Sequence, residues 1–260
     1  MQLSFYKYQG TGNDFIVVDA MKDVITLTKP QILLLCNRRF GVGGDGLMII
    51  TKDAETDFLM DYYNADGNVG SMCGNGGRCI VSFAAAKKYI GDKTIFKATD
   101  GTHHAIIENG NLVRLQMGDV KKPVLINSDV QLNTGSPHLV RFVSAVDKIN
   151  VVDEGKKIRY NTIYNATGIN VNFVEMQNDC LYIRTYERGV EDETLSCGTG
   201  VTASVIAASF TNRIIANGKQ KVKTPGGMLS VQFDRVGDEF KNVWLEGEAT
   251  FVYEGKITIV

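Results

Sequence analysis

Short stretches in which apolar side chains alternate with polar ones, or run together for a few residues between Gly, Asn and Asp, dominate the chain. Residues 15–19, 58–63, 104–107 and 113–117 read this way, as do 173–176, 228–231 and 243–246. Such runs bounded by turn formers predict strands, and the alternation predicts mostly antiparallel sheet. Two stretches break the pattern. Residues 80–86 and 201–210 carry no charge at all. Each predicts a helix with almost no polar face, and such a helix is buried. Lys87, Lys88 and Gly91 supply a C-terminal end for the first. Residues 30–39 predict a more ordinary amphipathic helix outside the first half, opened by Thr28 and Gln31 at capping-box spacing.

The pattern comes round twice. Cys73-Gly74-Asn75-Gly76 recurs as Cys197-Gly198-Thr199-Gly200, and Thr99-Asp100-Gly101-Thr102 as Thr224-Pro225-Gly226-Gly227, in the same order. Thr11-Gly12-Asn13-Asp14-Phe15 also echoes Thr167-Gly168-Ile169-Asn170-Val171. The expectation is an α+β chain of two related domains, each a mostly antiparallel sheet wrapped around a central α-helix. The first spans 1–122 and is joined by a last strand at 250–260; the second spans 123–249.

Composition narrows function more than fold. The 260 residues carry a formal net charge of −1, which gives no reason to expect nucleic acid or an acidic membrane as partner. No apolar run approaches the ~20 residues of a membrane span, and the N-terminus lacks the basic-then-apolar pattern of a secretory signal. Three histidines and five cysteines are too few and too scattered for a metal-rich protein. Unpaired thiols suit a reducing cytoplasm. A cytoplasmic protein with a small-molecule substrate and no metal is expected, with a homodimer as the default assembly. Gly41-Val42-Gly43-Gly44-Asp45-Gly46 fits G-x-G-x-x-G, but a helix precedes it and a strand follows, the reverse of a dinucleotide site, so a turn is expected. Cys36 and Cys180 are expected in the core, and Cys79 against the packing side of the first helix.

The chemistry then falls on Cys73 and Cys197, each directly before a helix. A helix N-terminus exposes N–H groups without intrahelical partners and about half a positive charge. That lowers a thiol pKa from its usual ~8.5 and binds a carboxylate through backbone donors. Two such ends meeting one substrate could invert a carbon, with a thiolate removing the proton from one face and a thiol delivering one to the other. Aligned N–H groups would stabilise the charge that develops. No metal or organic cofactor is needed for this.

These residues also carry a resemblance. Ser71-Met72-Cys73-Gly74-Asn75-Gly76-Gly77-Arg78-Cys79 and Glu187-Arg188-Gly189, followed by Glu193-Thr194-Leu195-Ser196-Cys197-Gly198-Thr199-Gly200, resemble the two signatures of the diaminopimelate epimerase family. So do Gly10-Thr11-Gly12-Asn13-Asp14-Phe15, Tyr63-Asn64-Ala65-Asp66-Gly67, Ser136-Pro137-His138 and Thr224-Pro225-Gly226-Gly227, in that order along nearly the whole chain. The resemblance implies two domains related by a pseudo-twofold axis, with the active site in the cleft between them. It implies interconversion of LL- and meso-2,6-diaminopimelate without pyridoxal phosphate, in lysine and peptidoglycan-precursor biosynthesis. Cys73 and Cys197 are then the acid/base pair, with Glu187 and His138 adjusting the thiols and contacting the reacting amine. Gly74, Asn75, Gly198 and Thr199 hold the reacting carboxylate and amine region. Asn13, Asn64, Asn170 and Arg188 grip the rest, Arg188 as a fork for the distal carboxylate.

Two features depart from the family pattern: Ser136 stands where Asn is common, and the segment 188–194 is one residue longer. Proline racemase and hydroxyproline epimerase share the plan, but their second motif usually has Pro before the cysteine, and Ser196 stands here. Phenazine-biosynthesis relatives lack the cysteine pair that this chain has.

Overall fold

The computed structural model describes residues 1–70, 72–108, 110–215 and 218–259. Ser71 of the first cysteine motif and position 260 of the expected last strand lie outside them. The chain divides into two compact units, Met1–Leu115 with Gly247–Val260, and Gln116–Glu246.

The first unit holds β1 (Gln2–Gly10), β2 (Asn13–Ala20), α1 (Lys29–Cys36), β3 (Gly46–Thr51), β4 (Phe58–Asn64), α2 (Gly74–Ala86), β5 (Lys93–Ala98), β6 (Gly101–Glu108) and β7 (Leu112–Gln116). The second holds β8 (Val124–Ile126), β9 (Asp129–Asn133), β10 (Pro137–Phe142), α3 (Val151–Arg159), β11 (Asn170–Met176), β12 (Leu181–Glu187), β13 (Asp192–Thr194), α4 (Gly198–Phe210), β14 (Gly218–Thr224), β15 (Gly227–Val236) and most of β16 (Glu239–Glu248). The last strand, β17 (Thr250–Thr258), returns to the first unit and pairs antiparallel with β1.

Hairpins give antiparallel pairs in both units, but each unit also makes two parallel steps where a helix crosses over. In the first unit β1–β2 is antiparallel, β2–β3 parallel, β3–β4 antiparallel, β4–β5 parallel and β5–β6 antiparallel. The second repeats that series with β9, β10, β11, β12, β14 and β15. The connectivity therefore equates β2 with β10, β3 with β11 and β4 with β12.

This corrects one echo in the sequence. Asn13 opens β2, but Asn170 opens β11, the counterpart of β3. The true counterpart of Thr11-Gly12-Asn13 is the turn before β10, Thr134-Gly135-Ser136.

Each unit wraps its strands around one apolar helix. In α2, Cys79, Ile80, Val81, Phe83 and Ala84 are fully buried, and Phe83 packs on Tyr6 and Tyr8 of β1. In α4 every residue from Gly200 to Ser209 is buried, and two of its hydroxyls bond back to the helix: Thr202 Oγ1 donates to Gly198 O at 3.0 Å and Ser204 Oγ to Gly200 O at 2.7 Å. Both helices begin earlier than their uncharged runs, at Gly74 and Gly198.

Three local expectations need correcting. Helix α1 opens with the expected Thr28 N–H to Gln31 Oε1 bond but stops at Cys36, because Asn37 Oδ1 takes the N–H groups of Arg39 and Phe40 into a turn. Cys180 lies in the loop before β12 and is half-buried, not a core residue of a strand. Helix α3, capped by Asn150, was not anticipated. The Gly41–Gly46 segment spends its amides on its own chain, Gly43 N–H on Leu35 O, Gly44 N–H on Cys36 O and Asp45 N–H on Asp14 O, and so forms a turn without donors for a phosphate.

Candidate active site

In the first unit Cys73 caps α2 in an extended conformation, and the first helical bond runs from Gly77 N–H to Cys73 O. Asn13, at the start of β2, faces it: Asn13 Oδ1 lies 3.7 Å from Cys73 Sγ and accepts from Asn75 Nδ2 at 3.3 Å. Asn13 Nδ2 donates to Asp45 Oδ2 at 2.5 Å. Asp45 belongs to an ion network in which Arg38 pairs with both Asp14 and Asp45, while the buried Lys7 pairs with Asp14 at 2.7 Å and donates to Gly43 O. Burial alone would raise the Asp14 carboxyl, but Arg38 and Lys7 hold it far below the usual carboxylate range.

Behind Asn75 stands Arg78, fully buried. Its Nη2 donates to Asn75 Oδ1 at 3.0 Å and to Thr11 Oγ1 at 3.3 Å, and its Nη1 to Gly74 O at 3.2 Å. Burial pulls its pKa down, while the nearby Cys79 and Cys73 pull it up.

The second unit builds an equivalent frame with different chemistry. Cys197 caps α4, is 8% exposed, and lies 3.4 Å from Thr199 Oγ1. His138, on β10, is fully enclosed. Its Nε2 is 3.0 Å from Thr199 Oγ1 and its Nδ1 3.1 Å from Asn172 Nδ2 on β11. Burial, reinforced by the charge of Arg188, pushes the imidazole down to about 3, so the ring is neutral. Thr134 Oγ1 donates to Thr199 O at 2.8 Å and ties the turn before β10 to the helix end.

Glu187 closes β12, and burial pushes its carboxyl upward. Asn170 Nδ2 donates to Ser136 Oγ at 2.9 Å and to Pro137 O at 3.1 Å, and its Oδ1 accepts from the Arg188 amide at 2.8 Å. The Arg188 side chain is exposed and gives Nη1 to Thr167 O at 3.0 Å.

Strand register makes the comparison between units residue by residue. Phe15 pairs with Gly46 and Gly46 with Asn64; His138 pairs with Asn170, which lies opposite the end of β12 at Glu187. His138 thus occupies the place of Phe15, Asn170 that of Gly46, and Glu187 that of Asn64. At these three matched positions the ionisable side chains, His138 and Glu187, both fall in the second unit. Of the residues singled out from sequence, Cys73, Asn13, Gly74 and Asn75 gather at the head of α2, and Cys197, Gly198, Thr199 and His138 at the head of α4. Asn64 is exposed at the end of β4, where its backbone holds the turn to Asn68.

Asp45, Arg78, Thr11, Asn172 and Thr185 were not singled out. For Asn172 a signal existed: it lies two residues after Asn170 in the same strand, and so on the same face. The longer segment before Cys197 is accommodated in the β12–β13 hairpin, where Gly189 and Glu191 take left-handed conformations with φ of 92° and 59°.

Comparison with known proteins follows the same line. A family model described as diaminopimelate epimerase matches residues 5–123 and 130–252. A diaminopimelate epimerase from Flavobacterium psychrophilum is 47% identical over 98% of this chain and 100% of its own length. Among solved structures, a phenazine biosynthesis protein of the PhzF family from Bacillus anthracis superposes with a TM-score of 0.77 at 14% identity, covering 100% of both chains. A hydroxyproline epimerase from Agrobacterium vitis does so at 0.70 and 12% identity, covering 98% of this chain and 92% of its own. At such identities the structural likenesses speak for the two-repeat α+β fold alone.

Proposed function

The chain belongs to the diaminopimelate epimerase family, and on that premise we propose that it interconverts LL- and meso-2,6-diaminopimelate by two-base proton transfer between Cys73 and Cys197. The observation that carries the reading is the paired placement of a cysteine as the cap of each unit's buried central helix. Inversion at a carbon bearing hydrogen needs one group to take a proton and a second, on the opposite face, to give one. A thiolate and a thiol do this symmetrically, and exchange roles in the reverse reaction.

First-turn amides at a central helix N-terminus bind the substrate carboxylate, and their donors and dipole stabilise the charge built up as the α-proton leaves. Glu187 receives the reacting amine. Asn13 and Asn75 orient the head of α2. His138 is a positioning residue acting through Thr199, since both of its ring nitrogens are engaged within the protein. Arg188 and Asn64, both exposed, serve the distal amino-acid head, Arg188 by a forked bond to its carboxylate. A ring substrate such as hydroxyproline has no such head and would leave these two idle. The activity runs without pyridoxal phosphate, in the cytoplasm, and supplies lysine and peptidoglycan precursor; the protein acts on a small molecule, as a homodimer.

The test is conversion of LL-diaminopimelate, with L-proline and hydroxyproline as competitors, under reducing conditions and without added pyridoxal phosphate. Formation of meso-diaminopimelate that disappears in both Cys73→Ala and Cys197→Ala is the expected result. Turnover of the ring substrates in preference to diaminopimelate would refute the substrate, and substantial turnover in either cysteine variant would refute the two-base step.

A further inference from the structure

We infer that Glu191 is a positioning residue for recognition of the substrate's distal carboxylate: its side chain locks the tip of the β12–β13 hairpin and, through Arg159, ties that tip to the loop that holds the Arg188 side chain. The inference rests on the place of Arg188 in the proposed function, and it concerns the second unit alone.

Glu187 pairs with Asp192 across the hairpin, so Arg188, Gly189, Val190 and Glu191 make the whole turn. Glu191 N–H donates to Glu187 O at 2.8 Å, and closing the turn this way puts Glu191 in the left-handed region at φ 59°. That conformation suits glycine and is unfavourable for a residue with a Cβ. The side chain offsets the strain by bonding back into the hairpin. Glu191 Oε1 accepts from the Gly189 amide at 3.1 Å, and Oε2 from the Tyr186 hydroxyl at 2.9 Å. Burial alone would raise this carboxyl, but the Gly189 amide, the Tyr186 and Tyr160 hydroxyls and the charge of Arg159 bring it below its ordinary value, so it is an anion at neutral pH.

Arg159, at the end of α3, carries the lock across. Its Nε stands 3.4 Å from Glu191 Oε1, and its Nη1 donates to Tyr164 O and to Asn165 O, each at 3.3 Å. The loop it grips runs on to Thr167, whose carbonyl accepts Arg188 Nη1 at 3.0 Å, and then to Gly168. A Cβ at Gly168 would lie 2.4 Å from Arg188 Cδ and 3.0 Å from Arg159 Cζ, so both arginines lie against that glycine. Like charges brought this close repel, and the Glu191 carboxylate beside Arg159 reduces that repulsion.

Arg188 is thereby held from two directions, its backbone by the hairpin and Asn170 Oδ1, its guanidinium by the loop. A guanidinium fixed before substrate arrives loses less freedom when it forms a fork with a carboxylate. Glu191 reaches the substrate only through Arg188, so its loss falls on binding of the distal head and not on proton transfer.

The test is steady-state epimerisation of LL-diaminopimelate by Glu191→Gln and Glu191→Gly, each also made in the Arg188→Ala protein, with amide hydrogen exchange of residues 188–191 followed in the substrate-free proteins. Glu191→Gln keeps the shape and removes the charge; Glu191→Gly suits the turn and removes the side chain. Both are expected to raise KM about tenfold with kcat within about twofold of wild type, the pattern of lost uniform binding. In the Arg188→Ala background neither should cost more than about twofold, because the residue through which Glu191 acts is gone. Exchange at 188–191 should quicken in both variants. A wild-type KM in Glu191→Gly would mean that the residue only forms the turn, and a loss that persists in full without Arg188 would mean a general structural effect; either overturns the inference. Unchanged exchange in the variants, a result that needs no substrate, overturns it as well. A wild-type protein that leaves LL-diaminopimelate unconverted would count against the proposed function, with hairpin exchange still deciding whether Glu191 is the lock.

Discussion

Gly200→Ala pits helix propensity against the frame that supports Cys197. On propensity alone, alanine in place of glycine stabilises a helix by about 1 kcal/mol. Here the added Cβ would lie 2.4 Å from Asn172 Oδ1 and 3.4 Å from both Cβ and Sγ of Cys197. The first distance is about 1 Å inside ordinary contact. Asn172 has no slack to withdraw, since its side chain is bonded to Thr185 Oγ1, Leu139 O and His138 Nδ1. Overpacking of this kind costs about 1–3 kcal/mol, and a buried group torn from its partner about 1–3 kcal/mol more. The expected balance is a net loss of about 3 kcal/mol, or roughly 6–12 °C in Tm at about 2–4 °C per kcal/mol. Because the displaced amide sets the His138 ring, kcat should fall by at least about tenfold with KM changed less. Thermal unfolding and steady-state epimerisation, with Gly118→Ala as control, decide the matter. The control Cβ meets nothing within 4 Å and should stay within about 0.5 kcal/mol of wild type. A Gly200→Ala protein as stable and as active as wild type would refute the reasoning.

Three further outcomes follow from the charges. Asp14→Asn leaves the buried Lys7 without its counter-ion and should destabilise the first unit by about 3 kcal/mol in urea unfolding. The Asp14 contribution is present at neutral pH and fades as pH drops from about 4 towards its depressed folded pKa, so an acid-stable wild type whose margin over the variant does not shrink would contradict it. Glu187→Gln should abolish turnover yet stabilise the protein at neutral pH. With its folded pKa raised by burial, the wild-type carboxyl costs nothing below about pH 4 and penalises folding as pH rises through that folded value. Equal stability of the two proteins at pH 7 would exclude the penalty. Arg188→Ala should lower kcat/KM for diaminopimelate by about 2 kcal/mol or more if it clamps the distal carboxylate, and a wild-type kcat/KM would remove it from the site.

The helix cores were legible because absence of charge is a local property: residues 80–86 and 201–210 could only be buried. Their glycine-rich first turns were harder to read, since glycine disfavours helix until packing intervenes. A Cβ at Gly77 would stand 3.1 Å from Leu115 Cδ2, so the glycine is retained for close approach. Helix α3 hides behind Gly155 for the same reason, its Cα lying so near Tyr186 that a Cβ would meet that ring's Cβ at 2.4 Å. The parallel steps between β2 and β3 and between β10 and β11 were not legible, because strand order depends on partners distant in sequence.

The cysteines and the paired glycine motifs announced themselves by type and recurrence, while His138 entered only through the family resemblance. Asp45, Arg78 and Asn172 did not, because their work is to orient other side chains; Asp45 read as part of a turn, and Arg78 and Asn172 fall just outside the helix and strand expected at 80–86 and 173–176. The mismatch of Thr11–Phe15 with Thr167–Val171 shows the danger of short glycine echoes: the matching letters sat on strands that are not equivalent.

The central claim is that two sulfurs, not one, handle the proton. LL-diaminopimelate converted in deuterated buffer, with substrate and product recovered at low conversion, tests it directly. The account predicts solvent deuterium at the inverted carbon of essentially every meso molecule and protium retained in the unreacted LL isomer. Product that keeps its original hydrogen, returned to the other face by a single base, would contradict it.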